Sequence, residues 1–422
     1  MKIMVVGGGG REHAIIKSIK KNPKAEKIYA LPGNGGISQD AQCVDIGAKD
    51  IDAIVEFAKK EGIDFAVVAP DDPLVLGAVD ALHENGIKCF GPCAAAAAIE
   101  GSKVFSKGLM KKYGIPTADY EVFDDAEKAL VYIENNAKYP TVIKADGLAL
   151  GKGVIIAQDK DEAVSAVKSI MEDRIFGASG SNIVIEEFLT GVEVSVLAFT
   201  DGKTVVPMIS SMDHKRALDG DEGLNTGGMG TIAPSPFYTK EIADECMEKI
   251  FLPTVEAMNK ENRKFKGCLY FGLMLTPNGP AVIEYNCRFG DPETQVVLPM
   301  LKTDLLDIML AVEEERLADI NVEFESGACC CVIMASGGYP LSYGKGYEIT
   351  IEDDIEAMVY HAGTKKDGDK FITSGGRVLG VCVREKELSS AISGAYEQVK
   401  KINFKDAFYR RDIGAKALKA QR

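Results

Sequence analysis

The chain of 422 residues, 46% of them apolar, is long enough for several domains, yet no apolar run approaches the roughly 20 residues of a membrane helix. A net charge of −14 argues against a nucleic acid or an anionic membrane as partner, because both require a basic surface. Ten cysteines without a Cys-x-x-Cys pair, and a start without a visible secretory signal, lead us to expect a cytoplasmic protein.

The first part of the chain alternates short apolar strands with helices. A helix is predicted from about Ala14, and strands are predicted at Ile3–Val6, Ile28–Ala30 and Phe65–Ala69. Glycine-rich or polar turns follow all three strands, which is typical of the ligand edge of an open parallel sheet. The turn at Gly7–Gly10 lacks the third glycine of the dinucleotide fingerprint, so NAD binding is a weak interpretation. We therefore predict a Rossmann-like domain over residues 1–117.

Residues 118–191 predict a compact α+β unit. Its strands are expected at Thr141–Lys144, Val154–Ala157 and Ile183–Glu187, with a helix from about Asp161. The glycine-rich turn at Gly147–Gly153 is not a Walker loop, because only three residues separate Gly147 from Gly151 and a glycine occupies the hydroxyl position. We expect a mobile hairpin loop at this turn and a lid formed by the whole unit.

A second α+β unit is predicted over residues 192–324 and a smaller β-rich domain over 325–422. The strands expected in these two ranges are Val194–Phe199, Val205–Ser210, Cys268–Thr276, Ala281–Asn286, Ala328–Ala335 and Val378–Arg384. The polar, glycine-rich stretch from Asp213 to Gly230 is predicted to be a long functional loop. The fold class that follows is a multidomain α/β and α+β protein, and little in its C-terminal domain looks catalytic.

The end of the strand near residue 286 carries the most informative side chains. In a strand, Glu284 and Asn286 point to one face, about 7 Å apart at Cα, so both oxygens can reach one hard cation such as Mg²⁺. The turn that follows adds Arg288 and Asp291, so a planar cation and a carboxylate lie beside the metal. This combination indicates phosphoryl transfer. The plain alternative is a strand followed by a surface turn with unrelated charges.

The run from Arg288 to Gln295 resembles the glycinamide ribonucleotide synthetases, also called phosphoribosylamine–glycine ligases, of the ATP-grasp superfamily. Further stretches similar to this family occur in order along nearly the whole chain, at Gly9–Ala14, Pro32–Gly36, Glu100–Lys103, Val142–Ala149, Ile185–Leu189, Asp213–Arg216 and Asn225–Gly230. Two departures are visible. Gly8 stands where the family often has asparagine, and Ala69-Pro70-Asp71 stands where it tends to have Gly-Pro-Glu, which leaves the role of Asp71 open.

The resemblance implies a two-part ATP-grasp core that joins glycine to 5-phosphoribosylamine through glycyl phosphate, with ATP as substrate and Mg²⁺ or Mn²⁺ as cofactor. It implies catalytic roles for Arg288, Lys144 and Lys215, and metal binding by Glu284 and Asn286. The implied nucleotide-binding residues are Lys103, Lys144, Gly151, Glu186, Glu187, Leu189 and Glu193. The implied substrate-binding residues are Gly9, Gly10, Arg11, Asp213, Thr226, Gly227, Gly228, Asp291 and Pro292. We expect a monomer or a weak homo-oligomer.

Two other functions fit the same pattern. One is a sister ATP-grasp ligase or carboxylase of purine synthesis, which would differ in the acid that triggers ADP release. The other is a non-catalytic nucleotide sensor, which would bind ATP without glycine-dependent turnover. The intact residues Glu284, Asn286 and Arg288 argue against a sensor.

Overall fold

The computed structural model describes residues 1–148 and 153–421. The N-terminal part of the chain forms a five-stranded parallel sheet. In spatial order the strands are Gln42–Cys43, Lys27–Pro32, Lys2–Gly7, Phe65–Val68 and Lys88–Phe90. In the central strand Met4 and Val6 pack into one hydrophobic cluster while Ile3 and Val5 pack into another, so both faces are covered, as in other parallel sheets. The accompanying helices are Gly10–Ile19, Ile51–Glu61, Asp71–Val75 and Ala78–Glu84. The predicted Rossmann-like architecture is confirmed.

The first helix begins at Gly10, and the prediction of a start near Ala14 is wrong. The reason is a cap supplied by Glu12 alone: the backbone N–H of Gly9 donates to Glu12 Oε2 at 2.6 Å, and the Gly9 carbonyl accepts the first helical hydrogen bond from the backbone N–H of His13 at 3.1 Å. Two further helices, Ala94–Gly101 and Lys103–Tyr113, lead out of this part of the chain. The Ser102 hydroxyl caps the second of them by accepting from the backbone N–H of Phe105 at 3.1 Å.

A four-stranded antiparallel sheet follows, in the order Tyr120–Phe123, Ile183–Glu187, Thr141–Ala145 and Val154–Ala157. Helices Ala126–Asn135 and Lys160–Val167 accompany it. Ile143 and Ile185 pack against alanines of both helices, so this sheet has a small hydrophobic core of its own. A unit with its own core can move as a body, which a lid requires.

A second four-stranded antiparallel sheet contains the strand that the sequence singles out. Its order is Val205–Pro207, Val192–Thr200, Gly267–Thr276 and Gly279–Asn286, and helices Lys240–Cys246 and Leu252–Lys260 accompany it. The aromatic rings of Phe251 and Phe271 pack at a centroid distance of 4.3 Å between this sheet and its helices. The ladder shifts register beside Ile283, and Glu284 then pairs with Gly272. Beyond the strand lie the helices Thr294–Val297 and Leu305–Glu313.

The C-terminal part of the chain forms two more sheets. The larger one has the order Met212–Asp213, Gly230–Ala233, Ala328–Ala335, Arg377–Glu385 and Met358–His361. The smaller one has the order Thr364–Asp367, Lys370–Thr373, Glu348–Ile351 and Ile402–Asn403, and the last helices are Leu388–Val399 and Ala415–Ala420. Strand Gly230–Ala233 pairs with Ala328–Ala335, so the ranges 192–324 and 325–422 share one sheet. Among the described residues, no helix is both long and apolar enough to span a membrane.

The stretch from Asp213 to Gly230 is not a long loop, and this prediction is wrong. Strands Arg216–Leu218 and Glu222–Asn225 pair as an antiparallel hairpin within it. The hairpin is fixed by distant residues, because the Arg410 guanidinium donates to the backbone carbonyl of Arg216 at 3.1 Å and pairs with Asp221 at 2.9 Å. A polar sequence thus acquires regular structure through partners near the other end of the chain.

Candidate functional site

A cavity of about 570 Å³ lies where the sheet that contains strand Thr141–Ala145, the sheet that contains strand Gly279–Asn286, and the hairpin meet. It collects most of the residues that the sequence analysis selects, and the strand Gly279–Asn286 forms one of its walls. The predicted residues that line it are Lys103, Lys144, Glu186, Glu187, Leu189, Glu193, Asp213, Lys215, Thr226, Gly227, Glu284, Asn286, Arg288 and Asp291. Asp71, whose role the sequence leaves open, also lines the cavity.

The remaining predicted residues lie elsewhere. Within the described part of the chain, the lining does not include Gly9, Gly10, Arg11, Gly228 or Pro292, and Gly151 lies outside the described residues. Arg11 is buried, and its guanidinium donates to Glu12 Oε1 at 2.6 Å and to the Phe289 carbonyl at 3.2 Å. The contact with Phe289 fastens the N-terminal domain to the turn that follows strand Gly279–Asn286.

One end of the cavity carries a buried cluster of two lysines and a glutamate. Lys144 Nζ lies 2.9 Å from Glu186 Oε2 and donates to the backbone carbonyl of Ile283 at 3.0 Å. Lys107 Nζ reaches the same Glu186 oxygen at 3.0 Å. Burial lowers the pKa of Lys107 to about 8, although the Glu186 carboxylate acts in the opposite direction. Through Lys144, the cluster joins strand Thr141–Ala145 to strand Gly279–Asn286 at the cavity.

Lys107 was missed in the sequence analysis. It lies in the middle of helix Lys103–Tyr113 among other lysines, and nothing local distinguishes it from a solvated residue. The partner Glu186 is 79 positions away in the sequence, beyond the reach of any local pattern.

At the centre of the cavity Lys215 pairs with two carboxylates, those of Glu193 and Glu284, the second at 3.3 Å. Burial would lower the pKa of Lys215, but the two carboxylates outweigh it and hold the pKa well above its usual value. Lys103 lies nearby, and its pKa is lowered, chiefly by burial, against the opposing effect of Glu284. The cationic groups therefore surround the Glu284 carboxylate.

The pair Glu284 and Asn286 suits a hard divalent cation. Lys215 lowers the pKa of Glu284 to about 2, so this carboxylate is ionised at neutral pH. Asn286 Oδ1 accepts a hydrogen bond from Arg288 Nη2 at 3.1 Å, so its oxygen faces positive charge. Both oxygens thus already attract cations, and both belong to the donor types that Mg²⁺ and Mn²⁺ take. Among the described residues, no three or more His, Cys, Asp or Glu side chains are grouped so that they could hold a metal ion. Oxygens from outside the protein would therefore have to complete the coordination.

Arg288 is held at the end of the strand by a buried glutamate. Its Nη2 donates to Glu100 Oε1 at 2.9 Å, and Glu100 Oε2 accepts from the backbone N–H of Cys287 at 2.7 Å. The Asp71 carboxylate lies 3.9 Å away. Burial raises the pKa of Glu100 despite Arg288. The Nε of Arg288 is buried and has no protein partner in the described residues, which leaves a donor for a bound oxygen.

Two buried or half-buried carboxylates of the cavity have no lysine or arginine partner among the described residues, those of Asp213 and Glu293. Glu293 Oε1 accepts from the Tyr270 hydroxyl at 3.1 Å. Asp213 Oδ1 accepts only from the backbone N–H of His214, at 2.7 Å. Burial, and then the charge of Glu293, raise the pKa of Asp213 well above its usual range, and burial raises the pKa of Glu293. Such a pair favours a bound cation or a shared proton.

Glu293 was missed as a functional residue although it lies within the Arg288–Gln295 run. The sequence offers no reason to choose it over its acidic neighbour Asp291, because only the fold turns it toward the cavity beside Asp213.

Family models match nearly the whole chain. The N domain, the ATP-grasp (A) domain and the C domain of phosphoribosylglycinamide synthetase match residues 1–100, 101–294 and 329–416. The phosphoribosylamine–glycine ligase of Caldanaerobacter subterraneus subsp. tengcongensis is 49% identical, over 98% of this chain and 100% of its own length.

Solved structures agree with these matches. The crystal structure of phosphoribosylamine–glycine ligase from Thermotoga maritima has a TM-score of 0.86 at 35% identity, covering 98% of this chain and 100% of that chain. The biotin carboxylase domain of 2-oxoglutarate carboxylase from Hydrogenobacter thermophilus has a TM-score of 0.75 at 15% identity, covering 96% and 91% of the two chains. At that identity the second likeness concerns the fold alone.

Proposed function

The chain belongs to the phosphoribosylglycinamide synthetase family, and from this premise we propose how its residues act as an ATP-dependent phosphoribosylamine–glycine ligase. The reaction joins glycine to 5-phosphoribosylamine and yields glycinamide ribonucleotide, ADP and phosphate in purine synthesis. The observation that carries the assignment of roles is one cavity in which Glu284, Asn286 and Arg288 face Lys144 and Lys215.

The nucleotide occupies the end of the cavity with the two buried lysines. Glu186 Oε1 is buried without a hydrogen-bond partner among the described residues, which suits the amino group of adenine. The backbone near Glu187 and Leu189 offers the other adenine contacts, and Glu193 suits the ribose hydroxyls. The phosphates then reach the cationic side chains Lys103 and Lys144, and Gly151 is proposed for the same site.

Glu284 and Asn286 are the residues that hold Mg²⁺ or Mn²⁺. When bound, the cation supplies positive charge to the phosphate oxygens. Glu284 and Asn286 would be its two protein ligands, and nucleotide and water oxygens would complete its coordination.

In the first step a carboxylate oxygen of glycine attacks the γ-phosphorus, and the bond to the β-phosphate oxygen breaks to release ADP. Charge on the transferred group is neutralised by Lys144, Lys215 and Arg288. The Nε of Arg288 has no partner among the described residues, so it can donate to an additional oxygen of the transferred group. In the second step the amine of phosphoribosylamine attacks the glycyl carbonyl carbon. Phosphate leaves with its electron pair, and the attacking nitrogen gives up a proton.

The glycine ammonium is placed between Asp213 and Glu293. These two carboxylates are the acids of the cavity wall that are buried or half-buried yet lack a lysine or arginine partner in the described chain, and a primary ammonium supplies the missing charge. The glycine carboxylate then faces Arg288. The remaining candidates for the glycine and phosphoribosylamine pockets are Gly9, Gly10, Arg11, Thr226, Gly227, Gly228, Asp291 and Pro292.

A panel of amino acids tests the proposal. ADP release is measured with ATP, Mg²⁺ and each amino acid, with and without 5-phosphoribosylamine. We expect turnover only with glycine and phosphoribosylamine together. ADP release with another acid would indicate a sister ligase or carboxylase, and ATP binding without any turnover would indicate a sensor. A cytoplasmic location and a monomeric or weakly associating state remain part of the proposal, and sedimentation analysis tests the second.

A further inference from the structure

Arg377 connects the C-terminal domain to the cavity without lining it. It is the first residue of strand Arg377–Glu385, and only 19% of its side chain is exposed. Its Nη1 donates to the Gly227 carbonyl at 2.6 Å and to the Asp291 carbonyl at 2.9 Å. Arg377 is absent from the cavity lining, so in this structure its guanidinium lies behind the wall.

The two segments that Arg377 joins form the same side of the cavity. Residues 226–228 follow the hairpin, and residues 290–292 follow the metal-binding strand. A Cβ on Gly228, whose φ is +110°, would lie 2.5 Å from Pro292 Cδ, so the segments are already in close contact. Among the described residues no hydrogen bond joins them directly. The guanidinium therefore supplies the polar connection between them.

The charge of Arg377 also fixes the side chain of Asp291. The Arg377 Nη2 lies 3.3 Å from Asp291 Oδ2, and Gln295 Nε2 donates to Asp291 Oδ1 at 2.8 Å. Burial alone would raise the pKa of Asp291, but Arg377, together with Arg11, Gln295 and Arg288, outweighs burial and lowers this pKa below its usual value. One planar fork thus binds two carbonyls and a carboxylate, which a point ammonium cannot do.

We propose that Arg377 is a positioning residue for the acyl half of the reaction, holding residues 226–228 and 290–292 in register around glycine and the attacking amine. The proposal rests on the proposed function. It concerns the acyl half because the segments that Arg377 holds flank Asp213, Glu293 and Arg288, whereas its hydrogen-bond and ion-pair partners include no described residue of the nucleotide end.

Two substitutions at Arg377 and one control test the proposal. Arg377→Met removes the fork and the charge, and Arg377→Lys keeps only the charge. The matched control is Arg384→Met on the same strand, whose side chain is 38% exposed and lies 3.7 Å from Glu325 Oε2 and 3.5 Å from the Pro299 carbonyl. The measurements are kcat, the KM of each substrate, the ATP dissociation constant and a thermal melt.

We expect Arg377→Met to lower kcat about 10²-fold, since a small misplacement of reacting groups has that effect. The ATP dissociation constant should stay within about twofold of the parent, Arg377→Lys should recover only part of kcat, and Arg384→Met should match the parent. A raised KM for phosphoribosylamine with kcat retained would make Arg377 a substrate ligand and overturn the proposal. Equal losses in ATP binding and kcat together with a lowered melt would reduce it to a structural residue. If the parent itself released no ADP with glycine and phosphoribosylamine, the proposed function would fail instead.

Discussion

Arg288, in the turn after strand Gly279–Asn286, offers the sharpest single-residue prediction. The Nη2 of Arg288 donates to Glu100 Oε1 at 2.9 Å and to Asn286 Oδ1 at 3.1 Å, so the plane of the guanidinium is fixed before substrate binds. A lysine cannot reproduce that fork. We expect Arg288→Lys to lower kcat by about 10²-fold with little change in ATP affinity, as for one lost transition-state donor. Kinetics and ATP titration measure both, and a substitution that weakened only ATP binding would make Arg288 a ground-state phosphate ligand.

Glu284 gives a prediction about the metal. Glu284→Gln keeps the shape of the side chain and removes the charge that attracts the cation. We expect a higher Mg²⁺ concentration for half-maximal activity and a melt close to that of the parent, since Lys215 retains Glu193 as partner. Asn286→Asp adds a carboxylate and should shift the requirement in the opposite direction. Activity against free Mg²⁺ at saturating ATP measures both variants, and an unchanged metal dependence in Glu284→Gln would remove Glu284 from the site.

At the scale of elements, the lid should respond to nucleotide. Lys144 lies on a lid strand, whereas Lys103 begins a helix outside it, and phosphates bound to both would join the two parts. We expect amide exchange in peptides covering residues 141–157, which include the predicted turn, to slow when ATP is added. Helix Leu388–Val399, remote from the cavity lining, serves as the internal control. Equal exchange with and without ATP would contradict a lid.

Which elements the sequence predicts depends on their length and on where their partners lie. Strands Val154–Ala157, Ile183–Glu187 and Ala328–Ala335 match their predicted bounds, because apolar runs between turns specify them locally. Strands of two or three residues, such as Gln42–Cys43, are too short to show a period and were missed. The sequence does not reveal the hairpin after Asp213, because its anchor, Arg410, is remote in the sequence.

The candidate site likewise contains residues that local sequence patterns reveal and residues that they do not. Glu284 and Asn286 alternate on one strand and Arg288 lies in the turn just after it, so short-range spacing alone places the three together. Other site residues act through partners more than 70 positions away in the sequence, and no local sequence pattern spans such a separation. These residues are Lys107, Glu100 and Arg377. The predicted substrate residue Arg11 is used inside the fold, so its place in the reaction stays a prediction.

For the molecule as a whole, buried histidines set the response to acid. Burial is the main cause that lowers the pKa of His214 to about 4 and of His361 to about 3, and it also lowers the pKa of His13. The unfolded chain takes up protons near pH 6.5 while the folded one does not, so the stabilising contribution is complete above that pH and declines as pH falls toward the folded pKa. Between pH 7 and pH 5 we expect about 2 kcal/mol of lost stability for each of His214 and His361.

Urea unfolding at the two pH values measures this loss. His361→Gln should be less stable than the parent at pH 7 yet lose less on acidification, because one of the neutral histidines is gone. His83, which is half-exposed at the surface, supplies the control in His83→Gln, whose loss should equal that of the parent. A stability that did not change between pH 7 and pH 5 would contradict the buried neutral state of these rings.

The sheet shared across residue 324 limits how this protein can be divided. Strand Gly230–Ala233 bonds to Ala328–Ala335 along its whole length, with Met212–Asp213 on its other side. A chain truncated before residue 328 would leave one side of that strand without partners, and unpaired backbone on an apolar edge recruits other chains. We therefore expect such fragments to aggregate, whereas co-expression with the missing segment should restore solubility. Cleavage sites should therefore be kept out of the segment between residues 233 and 328.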